Sequence, residues 1–309
     1  MILSMDLNPV LKRKYFLDNM ELNDINIPSN LIYGPGGDGI ELAYLLSGLG
    51  EDVLISGFLG GVNGGFIRKD LEDASIPHEF LQIKDETSDN IIISMGNKEE
   101  IIIGAKLPRI TRDELGGFYE LYNQILPSIH LNCFVGSLPI NVPKEIYFDL
   151  ITNGNKVDRK TLLAVKGEEL YYGIEAMPYL VLMDKNELEN LTKLSLDYEY
   201  EIIKAGQYIL EKGVSIVVIT LGSKGSIILT EDFIYRVEVP NVEVQSCKIN
   251  YGYMIGGFAL AIKRNYDFDM MLKIGQACGS INCFKHREGI DMSDIKRIMG
   301  SIEITKFNY

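Results

Sequence analysis

A doubly wound α/β fold, a mainly parallel sheet flanked by helices, is predicted by three features of the 309-residue sequence. Short, nearly continuous apolar runs recur along the chain, amphipathic segments separate them, and the runs end at glycine or polar punctuation. The runs are ILSMDL at the start, DVLISGF from Asp52, HLNCFV from His130, TLLAV from Thr161, YLVLM from Tyr179 and IVVITL from Ile216. Between them, GIELAYLLSGLG, DELGGFYELYNQIL, EYEIIKAGQYILEKG and MIGGFALAIKRN carry apolar residues at helical intervals. Two stretches, about 13–33 and 86–104, break the alternation, and the second contains NIIISMGNKEEIIIG, a hairpin pattern around Gly96 and Asn97. Together they predict a small, discontinuous β lid inserted in one domain spanning 1–309.

Composition narrows the function. With 46% hydrophobic and 24% charged residues the chain has globular usage and length enough for a large core. Thirty Lys and Arg against 43 Asp and Glu leave a net charge of −13, which repels nucleic acid and anionic membrane surfaces. No apolar run reaches the ~18 residues of a membrane span, and the N-terminal MILSMDLNPVLKRK is too short in apolar residues for a signal peptide, so a cytoplasmic protein is expected. Cys133, Cys247, Cys278 and Cys283 lack CxxC spacing, and Cys133 sits in the apolar run LNCFVG as a buried thiol would. His78, His130 and His286 are not spaced with one another or with cysteine as zinc ligands would be. His130 reads as a structural residue opening a strand, and His286, between Lys285 and Arg287, as a solvated helix-end charge.

Two glycine-rich segments are the candidate ligand loops. GPGGDG, Gly34 to Gly39, fits G-x-G-x-x-G formally and precedes a helical pattern. It lies more than 20 residues past the first strand, and the second strand ends in GFLGG without the acid a dinucleotide fold needs. What it offers is close backbone approach and free amides at a helix N-terminus. In IVVITLGSKGSIILT, Gly222 and Gly225 form a tight strand-loop-strand where a phosphate would meet backbone and Lys224; an ordinary hairpin is the alternative. No G-x-x-x-x-G-K-[ST] is present.

The order of these pieces resembles the ribokinase-like (PfkB) carbohydrate kinases, and within them the 1-phosphofructokinase and tagatose-6-phosphate kinase branch. The likeness runs through MDLNPVLKRKYFLDN, LIYGPGGDGIELAYLLSGLGEDVLISGFLGGVNGGFI, VGSLPINVP, MPYLVLMDKNELENL, VVITLGSKGSIILT and GGFALA. It implies an α/β body with a β lid that often mediates dimerisation, ATP with magnesium as cofactors, and phosphorylation of a sugar phosphate. Such transfer needs an aspartate that takes the hydroxyl proton and helix amides that hold developing charge.

The same comparison exposes departures. The family's GAGD is Ile249, Asn250, Tyr251 and Gly252, so glycine stands where the base belongs. In the substrate segment, after Gly36 and Gly37, the expected phosphate-binding lysine is Asp38 and the nearby asparagine is Glu41. The lid arginine is Ser88, leaving Asn90 in register, and the acid that binds sugar hydroxyls is Lys12. The exchanged signs predict that Lys12 and Asp38 pair and close the pocket. The nucleotide half departs less: Thr220, Gly222, Ser223 and Gly225 match the ATP-side loop, and Asn282 a position near adenine. Asp184 and Glu187 stand in the branch's magnesium- and phosphate-organising N-x-x-E, although Leu182 and Met183 replace the usual lysine and proline before it. Their structural alternative is a helix N-cap completed as a capping box.

Three readings follow. The first is a sugar or sugar-phosphate kinase-like protein with little or no turnover. The second is an active kinase for an unphosphorylated acceptor with Glu41, Asp38 or Asp184 as base. The third is a non-catalytic ligand-binding regulatory protein. A homodimer through the lid is expected in each.

Overall fold

The computed structural model describes residues 1–95, 100–104, 106–239, 249–281 and 290–308. Gly96, Asn97, Cys247, Cys283, Asn282 and His286 lie outside these described residues.

The alternating apolar runs form a ten-stranded sheet. Its parallel centre consists of β1 (Ile2–Asp6), β4 (Val53–Gly60), β5 (His78–Ile83), β8 (Leu131–Val135), β9 (Lys160–Ala164), β10 (Leu180–Asp184) and β11 (Ile216–Thr220). An antiparallel edge of β12 (Ser226–Leu229), β13 (Phe233–Glu238) and β14 (Glu303–Asn308) follows β11, giving the order β14-β13-β12-β11-β10-β9-β8-β1-β4-β5. β2 (Val10–Leu17), β3 (Asn30–Gly36), β6 (Asp89–Met95) and β7 (Glu100–Gly104) make a second sheet in the order β3-β2-β6-β7. It is antiparallel except between β2 and β6, where Lys12 faces Asn90.

Helices cover both faces of the large sheet. On one side lie α1 (Asp38–Gly48), α2 (Gly61–Asp73), α8 (Tyr251–Lys263), α9 (Phe268–Ser280) and α10 (Met292–Met299). On the other lie α3 (Arg112–Ile125), α4 (Ile146–Asn155), α5 (Gly167–Glu175), α6 (Lys185–Thr192) and α7 (Glu199–Glu211). Alternation along β1 divides the cores: Ile2 packs with the first set, Leu3 and Met5 with the second. The same alternation puts Ser4 and Asp6 on the face of Ile2, against the first turn of α1, where the Ser4 hydroxyl donates to the Gly39 carbonyl at 2.7 Å.

α8 is buried along nearly its whole length, as a helix apolar all round must be. Gly252, Gly256 and Gly257 let its neighbours approach: a Cβ at 256 would lie 3.1 Å from Leu45 on α1, and one at 257 2.8 Å from the Ile274 carbonyl on α9. Cys133 and Cys278 are buried free thiols. His130 departs from the expected strand position. It precedes β8, is exposed, and its Nδ1 lies 2.7 Å from the Met1 amine.

Candidate active site

The C-terminal ends of β10 and β11 open into a cavity of about 940 Å³. A ligand site is expected beyond such strand ends in an open α/β sheet. Asp38, Lys166, Asp184, Thr220, Gly222, Lys224, Asn250 and Tyr251 are among the residues lining it. This wall gathers the sequence-predicted nucleotide loop and the degenerate base motif into one place.

The loop has the geometry a phosphate needs. β11 leads into a 3-10 turn, Gly222–Lys224, closed by the Leu221 amide donating to the Gly225 carbonyl at 2.8 Å. Gly222 (φ 64°) and Gly225 (φ 85°) take left-handed conformations that side chains resist. A Cβ at 222 would meet nothing within 4 Å, so that backbone faces open space, whereas at 225 it would press into the Val237 carbonyl. Ser223 and Lys224 are exposed, and Thr220 is buried at the strand end.

Asp184 is the N-cap of α6 and accepts from the Glu187 amide at 2.8 Å. The capping box is not completed, because the Glu187 carboxylate turns to the Gly167 amide at 2.9 Å. Asp184 Oδ2 lies 3.9 Å from Lys166 Nζ. Each carboxylate thus keeps one oxygen free of main-chain bonds, which suits a magnesium ion that takes one or two carboxylates and completes its shell with water and phosphate. Tyr251 is 9% exposed and its hydroxyl has no hydrogen bond among the described residues. Burial pushes that hydroxyl's pKa up, and it lies beside Thr220 and Asp184, so a donor stands unspent on the cavity wall. A hydrated metal–phosphate group fits this donor and acceptor set.

The residues that the resemblance places on the acceptor side bond to one another. Lys12 on β2 pairs with Glu41 on α1 at 2.6 Å, and Glu41 also accepts from the Asn250 side chain. Asn250 is the N-cap of α8, accepting from the Tyr253 amide at 2.8 Å. The expected Lys12–Asp38 pair therefore does not form. Asp38 and Glu41 stand one turn apart on α1, and the lysine stem, crossing Gly36, reaches the second of them, while Asp38 lines the cavity. A Cβ at Gly36 would come 2.6 Å from Lys12 Cγ and closer to Cδ and Cε. Ser88 is 4% exposed and donates to the Lys106 carbonyl at 3.2 Å, so it offers no grip on a ligand.

At Gly252 an added Cβ would lie 2.8 Å from the Asp38 carbonyl carbon and closer still to its oxygen. The main chain at the start of α1 stands where a side chain on α8 would begin.

Sequence reasoning missed Asp6, which is 1% exposed at the end of β1. Its carboxyl accepts from the Gly39 amide at 3.1 Å and the Asn8 amide at 3.2 Å. Burial first, then the neighbouring Asp38 carboxylate, push it up to about 7 against those hydrogen bonds. Gly37 (φ 118°) and Gly136 (φ 87°) make room for it: a Cβ at 136 would sit 2.7 Å from Asp6 Oδ1. Burial and then Glu41 push Asp38 up to about 6, with Lys12 and Lys166 pulling it down. Glu86 was missed as well; its carboxylate accepts from the Val62 and Asn63 amides at 3.1 and 2.6 Å, filling the anion-attracting start of α2. The signal for Asp6 was a lone acid ending an otherwise apolar strand.

The architecture has counterparts among solved structures. Phosphofructokinase-2 from Escherichia coli, in complex with potassium, matches with TM-score 0.88 and 24% identity over 97% of this chain and 98% of that one. A Thermotoga maritima protein described as a possible 1-phosphofructokinase matches with TM-score 0.88 and 22% identity over 99% of both chains. The tetrameric inhibited form of the Escherichia coli protein matches with TM-score 0.85 and 24% identity over 97% of this chain and 98% of that one. These likenesses confirm the α/β fold. The model of the pfkB family carbohydrate kinases matches residues 5–295, and the chain belongs to that family.

Proposed function

We propose that this protein is a kinase-like member of its family that keeps the nucleotide half of the site and has closed the acceptor half, so that it turns over sugar phosphates little or not at all. The observation that carries the reading is the Asp38 main chain lying where a side chain at position 252 would begin. A base at 252 has no room on this backbone, and the missing proton acceptor alone lowers a rate by about 10² to 10⁴. Electrostatics point the same way. Asp38 stands where the resemblance expects a lysine to meet the acceptor phosphate, and Lys12 is spent on Glu41. At ~5 Å and an effective dielectric of ~20, each like-charge pair opposes a phosphate by about 3 kcal/mol.

On the nucleotide side, the amides around Gly222 and Ser223 and the ammonium groups of Lys166 and Lys224 would bind the phosphates of ATP. Asp184 and Glu187 would hold magnesium, which supplies neutralisation of phosphate charge. Tyr251 would donate to an oxygen of that group.

Self-association through the four-stranded sheet accompanies this reading. Leu31, Ile32, Tyr33, Ile101, Ile102 and Ile103 on its edge strands are exposed, an apolar surface of the kind interfaces use. Among the described residues no helix is long and apolar enough to cross a membrane, and a cytoplasmic location is proposed.

Thermal shift tests the reading, because a ligand of the folded state raises stability in proportion to ln(1 + [L]/Kd). Mg-ATP is expected to raise Tm, and fructose 1-phosphate, tagatose 6-phosphate and fructose 6-phosphate to leave it unchanged. A shift with any of the sugar phosphates would overturn the closed acceptor side; no shift with Mg-ATP would overturn the retained nucleotide half.

A further inference from the structure

The Lys12–Glu41–Asn250 chain joins three separate parts of the molecule. Lys12 belongs to β2 in the small sheet, Glu41 to the first turn of α1, and Asn250 to the cap of α8. Its two bonds share one carboxylate: Glu41 Oε1 takes the Lys12 ammonium at 2.6 Å and Oε2 takes the Asn250 amide. The Glu41 side chain is 12% exposed and the Lys12 side chain 38%, so the carboxylate is largely shielded while the ammonium stays partly screened by water. The lysine stem lies flat on Gly36, in space that any Cβ would claim. A ligand lodged between the small sheet and α1 would have to displace this stem and break both bonds.

We propose that Lys12 is an internal latch: it fastens the small sheet to the body with no ligand between them, and so shuts the acceptor half of the site. The latch deepens the closed-acceptor reading and rests on it. Closure here is a property of the ground state, held by the chain's own ammonium group in place of a bound molecule. Two further contacts between the small sheet and the body, Arg13 to Asn63 Oδ1 at 3.3 Å and the edge-on packing of Tyr33 against Phe66 at 6.1 Å, both reach α2, so neither substitutes for the bridge to α1. Gly36 is part of the device, because its φ lies outside the left-handed region and the nearest atoms to an added Cβ are those of the lysine stem.

Two variants open the latch by different routes. Lys12→Met keeps the stem and removes the charge. Gly36→Ala keeps the charge and displaces a flexible stem, which the fold tolerates easily. Spin labels at Asp18→Cys just past β2 and Glu120→Cys on α3, with Cys247→Ser and Cys283→Ser and the labelled chain diluted into excess unlabelled chain, report the distance between sheet and body within one molecule. The labelled parent, without nucleotide or sugar, is expected to give one narrow distance population. Each variant is expected to raise a second, longer population about tenfold, the scale on which loss of a charged bond moves a two-state equilibrium. Identical distributions in the parent and both variants would overturn the latch, as would a parent that already samples the longer distance. Loss of the far-UV helical signal in both variants would also overturn it, by making the bridge a general prop of the fold. The measurement uses neither nucleotide nor acceptor, so sugar-phosphate turnover would refute the closed-acceptor reading while leaving this result to stand or fall separately.

Discussion

Adding a side chain at Gly252 is the perturbation that most sharply separates a lost base from a merely misplaced one. On an unhindered helix Gly→Ala gains about 1 kcal/mol from backbone entropy and propensity. Here the new Cβ would meet the Asp38 carbonyl carbon at 2.8 Å, well inside the 3.4 Å of ordinary contact, and the obstacle is backbone rather than a movable side chain. Overpacking of this kind costs about 1–3 kcal/mol, so the sign should reverse. Gly252→Asp adds a carboxylate beside Asp38 and Glu41, and one like-charge pair adds about 3 kcal/mol at ~5 Å and an effective dielectric of ~20. For a domain of 309 residues 1 kcal/mol corresponds to about 1.5 °C in Tm. Calorimetry should therefore show both variants melting below the parent, aspartate lower than alanine, and ADP release with Mg-ATP and fructose 1-phosphate should stay at background in both. An unchanged or raised Tm for Gly252→Ala, or sugar-phosphate turnover by Gly252→Asp, would refute the packing argument.

Other outcomes follow from single contacts. Asp6, with an ordinary carboxyl pKa near 3.8 when unfolded and about 7 when folded, binds more protons in the folded state between those values. Its contribution is complete below about pH 4 and is lost as pH rises through about 7, at about 1.4 kcal/mol per pH unit, so urea midpoints should imply about 3 kcal/mol lost between pH 5 and 8. Asp6→Asn should flatten that slope; a slope identical to the parent's would contradict the assignment. Asp184→Ala should cost about 1 kcal/mol through the lost α6 cap. Asp184→Asn should melt like the parent, since asparagine caps as well, while its thermal shift with Mg-ATP shrinks; an undiminished shift would remove Asp184 from the nucleotide site.

Much of the fold was legible because its signals are local. Six apolar runs ending in glycine or polar residues became six of the seven parallel strands, HEFLQI of β5 being too polar to stand out, and Gly222 and Gly225 mark a turn that needs positive φ. SIIL of β12 was legible as the strand returning from the Gly222–Gly225 loop, whereas FIYRVE and EITKFN of β13 and β14 were harder, since only pairing in register identifies them. Within the site, the replaced motifs at Asn250–Gly252, Asp38 and Ser88 could be read by position. Which acid Lys12 would choose could not: Asp38 and Glu41 share a helix face, and the choice depends on how β2 crosses Gly36, a tertiary fact. The same holds for Gly252, whose sequence reports an absent base but not that the Asp38 main chain at the start of α1 lies against it.

The most direct test of the account is steady-state ADP release by the purified 309-residue chain with Mg-ATP, measured with and without fructose 1-phosphate, tagatose 6-phosphate and fructose 6-phosphate. The closed acceptor side and the filled position at Gly252 predict the same slow rate in every case. ADP release that rises with sugar-phosphate concentration and saturates would contradict them.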